Sequence, residues 1–147
     1  MSLPSPIPLV LLGQRVEVGK PVSESLRPEY EVIYFIQTAD VAKSELPKLL
    51  AGQEPLPLTN DVGTNNFTQP PRVVMFGRGY PPEFVQELKN SLAGIAQEPV
   101  AWVVGDPAKA PTAPPGPGYV EQVAKDVKAA VAKWAEEGGT QDAFIVY

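Results

Sequence analysis

Gly77-Arg78-Gly79-Tyr80-Pro81-Pro82-Glu83 holds residue types that an anion site uses. Two glycines let backbone amides approach a ligand, and a helix starting just after them presents unsatisfied N–H groups and a positive dipole end. Arg78 adds a planar fork of donors that suits a carboxylate or phosphate; Tyr80 adds a ring face and a hydroxyl. Pro81 and Pro82 take two donors away from the same turn. A second turn, Gly13-Gln14-Arg15, supplies another guanidinium, and Gly105-Asp106 supplies a carboxylate suited to general base, metal ligand or partner of Arg78. The structural alternative is a tight turn with two solvated arginines, and an ordinary Asx turn at Asp106. Glu17, Glu24 and Glu83 have no spacing that makes a catalytic pair. No catalytic residue and no metal ligand set is assigned.

Much chemistry is excluded by what is missing. With neither cysteine nor histidine, the chain has no thiolate nucleophile, no Ser-His-Asp triad and no His/Cys zinc site. The stretch from Gly13 to Gly19-Lys20 resembles a phosphate loop but is one residue too long, and Pro21 replaces the hydroxyl residue that would hold magnesium. Gly13 and Gly19 do not make a dinucleotide fingerprint, and the second apolar run ends in Gln37 and Thr38 rather than an acid. No standard NAD or ATP grip is present, and the cofactor, if any, stays unassigned. A phospho-receiver is excluded because Gly77 stands where the acceptor aspartate belongs.

Twelve basic against 17 acidic residues, a net charge of −5, argue against a nucleic-acid backbone as partner. No apolar run approaches the ~18–20 residues of a membrane span. The opening Met1-Ser2-Leu3-Pro4-Ser5-Pro6 has no basic residue before its short apolar run. The expected location is cytoplasmic, with no membrane partner.

Five apolar runs must position these turns: residues 8–12, 31–36, 72–76, 100–104 and 143–147. They are continuous, rich in Val and Ile and mostly bounded by Gly or Pro, as strands of a covered parallel sheet are. Helical spacing lies between them. Val120, Val123, Val127, Ala130, Val131 and Trp134 form one stripe, closing at Gly138-Gly139. Phe84, Val85, Leu88, Leu92 and Ile95 form another after Pro81-Pro82. Val41, Leu46, Leu49 and Leu50 form a third that Pro47 kinks or splits, and only a turn or two is expected over 22–27. Trp102 and Trp134 fall on core-facing positions. The alternation predicts one α/β domain over 1–147, three layers around a doubly wound five-stranded parallel sheet of order 2-1-3-4-5, Rossmann-like or flavodoxin-like. Two loops are longer than this fold requires. Residues 53–71 read as decoration, whereas 106–118 follow the fourth strand at the ligand-binding edge and read as a lid.

Leu9-Val10-Leu11-Leu12-Gly13-Gln14-Arg15-Val16-Glu17-Val18-Gly19-Lys20, Pro28-Glu29-Tyr30-Glu31-Val32-Ile33, Phe76-Gly77-Arg78-Gly79, Glu98-Pro99-Val100-Ala101-Trp102 and Pro115-Gly116-Pro117-Gly118-Tyr119 resemble a group of small uncharacterised fungal proteins described as Rossmann-like or NAD(P)-binding-like. That resemblance spans most of the chain and implies the fold without an activity. More distantly, the first half is similar to the flavodoxin-like substrate domain of D-2-hydroxyacid dehydrogenases, without that family's cofactor domain or catalytic histidine.

Three functions are in view. The first is binding of an anionic or nucleotide-like small molecule by Gly13, Gln14, Arg15, Gly77, Arg78, Gly79, Tyr80, Gly105 and Asp106. The second is a homo-oligomeric interaction or scaffold module, a homodimer through the fifth strand or the Val120 to Trp134 stripe, because no helix follows that strand to cover its edge. The third is a histidine-free isomerase or lyase using Asp106 or Tyr80.

Overall fold

The computed structural model describes residues 3–57, 60, 62–109 and 118–147. The elements are β1 (Ile7–Leu12), α1 (Val16–Ser25), β2 (Tyr30–Ile36), α2 (Ala39–Leu50), β3 (Val73–Phe76), α3 (Pro82–Ser91), β4 (Ala101–Val104), α4 (Tyr119–Glu136) and β5 (Ala143–Val146), with a 3-10 turn, Pro107–Lys109, after β4. All five strands are parallel and the order is β2-β1-β3-β4-β5, so β1 and β3 flank the point where the winding reverses. The three-layer fold expected from the apolar runs is the fold observed.

Successive strand residues serve opposite faces. Leu9, Leu11, Val73, Met75, Ala101 and Val103 pack with Val22 and Leu26 near α1 and with Val127 and Val131 of α4. Val10, Leu12, Val74, Phe76, Trp102 and Val104 pack with Leu46 and Leu49 of α2 and Val85 and Leu88 of α3. The register between β1 and β2 slips at Leu9/Val10. Beside that slip, Ile33 and Tyr34 both join the α2/α3 face.

Two helices depart from expectation. In place of a turn or two over 22–27, α1 runs ten residues from Val16 with Pro21 inside it. Pro21 removes one intrahelical bond, but Gly19, Val22 and Ser23 form a buried stripe, and Gly19 lies so close to Phe35 that a β-carbon there would sit 2.5 Å from the ring. Packing against β2 outweighs the proline's cost. Likewise α2 is one continuous helix with Pro47 in its last turn, started by Thr38, whose Oγ1 accepts from the Val41 N–H at 3.2 Å. Helix α3 begins with Pro81 as N-cap and Pro82 in its first turn, as the sequence suggested. It ends at Ser91, so Ile95 lies beyond it and is exposed.

The 53–71 segment does more than decorate. The N–H groups of Thr64 and Asn65 donate to Val32 O and Ile33 O at 2.9 and 3.0 Å, and Asn60 Nδ2 donates to Phe35 O at 3.1 Å. The segment therefore covers the open edge of β2. It is anchored by buried Glu45, which accepts from the Leu56 N–H at 2.8 Å, and by the Tyr34 hydroxyl, which donates to Leu56 O at 2.7 Å. Most of the expected lid, residues 110–117, lies outside the described residues.

Candidate functional site

The turns after β1 and β3 lie side by side at the switch point. The Gly77 N–H donates to Leu12 O at 2.9 Å, and a β-carbon on Gly77 would stand 4.0 Å from Gly13 Cα. Gly79 faces the Gln14 amide, 3.7 Å from its Nε2 by the same measure. Gln37 Nε2 in turn donates to Gln14 O at 3.4 Å. Gly13 is tied to β2 through its N–H to Ile36 O at 3.0 Å. Arg15 is the N-cap of α1, extended in backbone and exposed, with no side-chain cap on the helix. The first N–H groups of α1 thus open onto the same edge. The prolines at the start of α3 leave α1 as the better donor end.

Arg78 is ion-paired with Asp126 of α4 and not with Asp106, the partner the sequence suggested. Its side chain is 4% exposed, and Nη2 donates to Asp126 Oδ2 of α4 at 2.8 Å. The guanidinium carbon lies 4.8 Å from the centre of the Tyr147 ring, a cation–π contact. Nε is buried and has no hydrogen-bond partner among the described residues. Gly105 explains how the side chain fits: a β-carbon there would lie 2.7 Å from Arg78 Cα and closer still to its Cγ. Only a glycine leaves room for Arg78 to cross the end of β4.

Asp126 also accepts from Gln122 Nε2 at 2.7 Å. The Arg78 hydrogen bond holds its carboxyl below the usual value, with Gln122 acting in the same direction and exposed Lys109 adding charge attraction. The Tyr147 hydroxyl donates to Phe76 O at 2.8 Å, and burial pushes its proton affinity well up. Asp126 and Tyr147 escaped sequence reasoning because their meeting with Arg78 spans 48 and 69 positions and has no local pattern.

The remaining expected residues are placed structurally. Asp106 Oδ1 accepts from the Ala108 N–H at 2.9 Å, the Asx turn, while its own N–H donates to Tyr147 O at 2.9 Å. Tyr80 is buried in the α2/α3 face, stacked 5.9 Å from Phe84 and edge-on to Phe76 at 5.6 Å. Burial raises the pKa of its hydroxyl. All nine expected residues therefore lie on three adjacent turns. Gly13, Gln14, Arg15, Gly77 and Gly79 are exposed or half-buried there, whereas Arg78, Tyr80 and Gly105 are buried and Asp106 is half-buried. Among the described residues no cluster of three or more His, Cys, Asp or Glu is arranged to hold a metal ion. Nor is any helix among them long and apolar enough to cross a membrane.

The chain is 34% identical over 137 residues to a protein of Aspergillus oryzae named kojic acid related protein 6, an alignment covering 92% of this chain and 82% of that one. No family model matches the chain. No solved structure matches it.

Proposed function

The chain belongs to the family of the Aspergillus oryzae kojic acid related protein 6, and from that membership and the geometry above we propose that it binds a small anionic or nucleotide-like compound at the carboxyl ends of β1 and β3. One observation carries the reading: the open N-terminus of α1, capped by exposed Arg15, sits at the switch point against the Gly77-Arg78-Gly79 turn. Ligands of open α/β sheets bind at that place. The first amides of α1 and the Arg15 guanidinium would hold the anion, and Gln14 would read a neighbouring polar group. Arg78 would act from beneath, its charge balanced by Asp126. The relative's name connects that protein with kojic acid, a small hydroxypyranone, so this compound heads the list to try. An isomerase or lyase draws less support, because the Asp106 carboxylate is engaged by its own turn and the Tyr80 ring lies in the core.

The test is a thermal-shift panel of kojic acid, nicotinamide and adenine nucleotides, flavins, sugar phosphates and organic acids. A ligand at 100 times its Kd should add about 2.7 kcal/mol, several degrees at this size. Arg15→Ala should abolish the shift while leaving the ligand-free melting point unchanged, since Arg15 is exposed and caps nothing with its side chain. A folded protein that no compound shifts, or an Arg15→Ala variant that binds like the parent, rejects the reading.

A further inference from the structure

The two edges of the sheet are treated differently. The β2 edge is covered by the 53–71 segment, whereas no described residue bonds to the outer edge of β5. Ala143 and Tyr147 donate inward to Val100 O and Val104 O, so by strand alternation the N–H and C=O groups of Phe144 and Val146 point outward. The side chains beside this open edge are apolar. Phe144 and Val146 are 37% and 51% exposed on one face. On the other face Ile145 and Ala130 border a groove of about 500 Å³ that also takes in Lys133, Trp134, Glu137 and Asp142. A bare, apolar edge is one that proteins pair or protect.

We infer that a second copy of this chain occupies it, joined by antiparallel β5–β5 pairing about a two-fold axis into a ten-stranded sheet. The outward groups select the register: Phe144 faces Val146 of the second copy in a hydrogen-bonded pair, and Ile145 faces its own counterpart on the axis. Apolar then meets apolar on both faces.

Helix α4 tests this arrangement independently. It packs on both β4 and β5 and so lies over the space between them. With strands ~4.8 Å apart, the two-fold places the two α4 axes about 10 Å from each other, the ordinary helix-packing distance. Ala130 and Ile145 border one groove, so an axis through Ile145 passes α4 near Ala130, with exposed Ala129 next to it at the rim. Small residues there let the helices approach. Antiparallel pairing about that midpoint sets Lys133 opposite Asp126 of the second copy, twice by symmetry, and Glu137 opposite Gln122. Lys133 is exposed and has no ion pair among the described residues, and Asp126 keeps 23% of its side chain exposed. The face is thus self-complementary in shape and in charge, as a two-fold interface requires.

The experiment combines light scattering with two surface variants and one cross-link. The parent chain should run at twice 15.8 kDa. Ala129→Arg, at an exposed position, should give a folded monomer, and Lys133→Glu should weaken dimerisation at least about tenfold by facing Asp126 with a like charge. The chain has no cysteine, so oxidised Ile145→Cys should form a covalent dimer in high yield, its Cα atoms being about 4.5 Å apart in such a pair. A parent that stays monomeric at high concentration, including one whose β5 edge takes up an unrelated strand, overturns the inference. So does a dimer indifferent to both surface changes, or one that Ile145→Cys fails to lock.

Discussion

Arg78 carries a full charge into a nearly dry environment, and every neighbour is arranged to make that tolerable. Asp126 supplies the opposite charge, Tyr147 a ring face, and Gly105 the space. Asp126→Asn leaves the guanidinium without a counter-charge and should cost about 3 kcal/mol in urea unfolding at pH 7. The pH dependence follows from the depressed carboxyl of Asp126. Its contribution is complete above the unfolded carboxylate value near ~4 and is lost as pH falls through the lower folded value. The acid limb of the stability curve should therefore flatten in Asp126→Asn relative to the parent. Gly105→Ala forces a methyl into Arg78 and should destabilise by about 1–3 kcal/mol. Gly79→Ala, with only ordinary contacts to Gln14, should change unfolding by less than about 0.5 kcal/mol. Equal costs at the two glycines would contradict this account of Gly105.

The elements differ in what holds them. Helix α1 survives an internal proline because its buried stripe meets β2 and α4, and α2 survives one because Pro47 falls in its final turn. The described residues of the 53–71 segment form no helix or strand and depend on a few polar anchors. Glu45 is 2% exposed, and its bond from the Leu56 N–H is the main cause of its lowered pKa. Replacing it with alanine leaves that N–H without its partner and should cost about 1–3 kcal/mol. Hydrogen exchange gives the sharper readout. The amides of Thr64 and Asn65 should lose protection in Glu45→Ala, while those of β1 and β3 keep theirs. Uniform loss across the sheet would mean that the segment is not an independent cover for β2.

For the molecule as a whole, opposite ends of the sheet serve different ends. The carboxyl end carries the open turns and Arg15. The amino end is clamped by Arg72, which is 7% exposed and donates from Nε to Pro99 O at 2.8 Å and from Nη2 to Gly139 O at 2.7 Å. Asp142 adds to this clamp by accepting from the Val100 N–H at 2.8 Å. Arg72→Leu should lose about 2–3 kcal/mol with an unchanged denaturant slope, because the global fold still unfolds as one unit. The proposed dimer edge at β5 lies two strands away from β3 and three from β1, whose turns carry Arg15 and Gly77 to Gly79.

How much of this was legible in the residues depends on the range of the physics. Burial on both faces makes a strand continuous in apolar residues, so the five runs, their order and the three turns at the carboxyl edge could be read along the chain. The Gly138-Gly139 stop and the Pro81-Pro82 start are local too, set by backbone freedom and missing donors. Pro21 misled for the same reason: its local penalty is visible, while the packing of Gly19 on Phe35 that overcomes it is not. Arg78 stands out by residue type and place, yet its partners do not, since ion pairs and ring contacts between distant residues have no spacing rule. Residue types and periodicity decided the architecture and which turns meet at the switch point, where the ligand is proposed to bind. Tertiary contact alone decided which arginine is free to meet it, because burial and charge pairing arise only when distant segments close on one another.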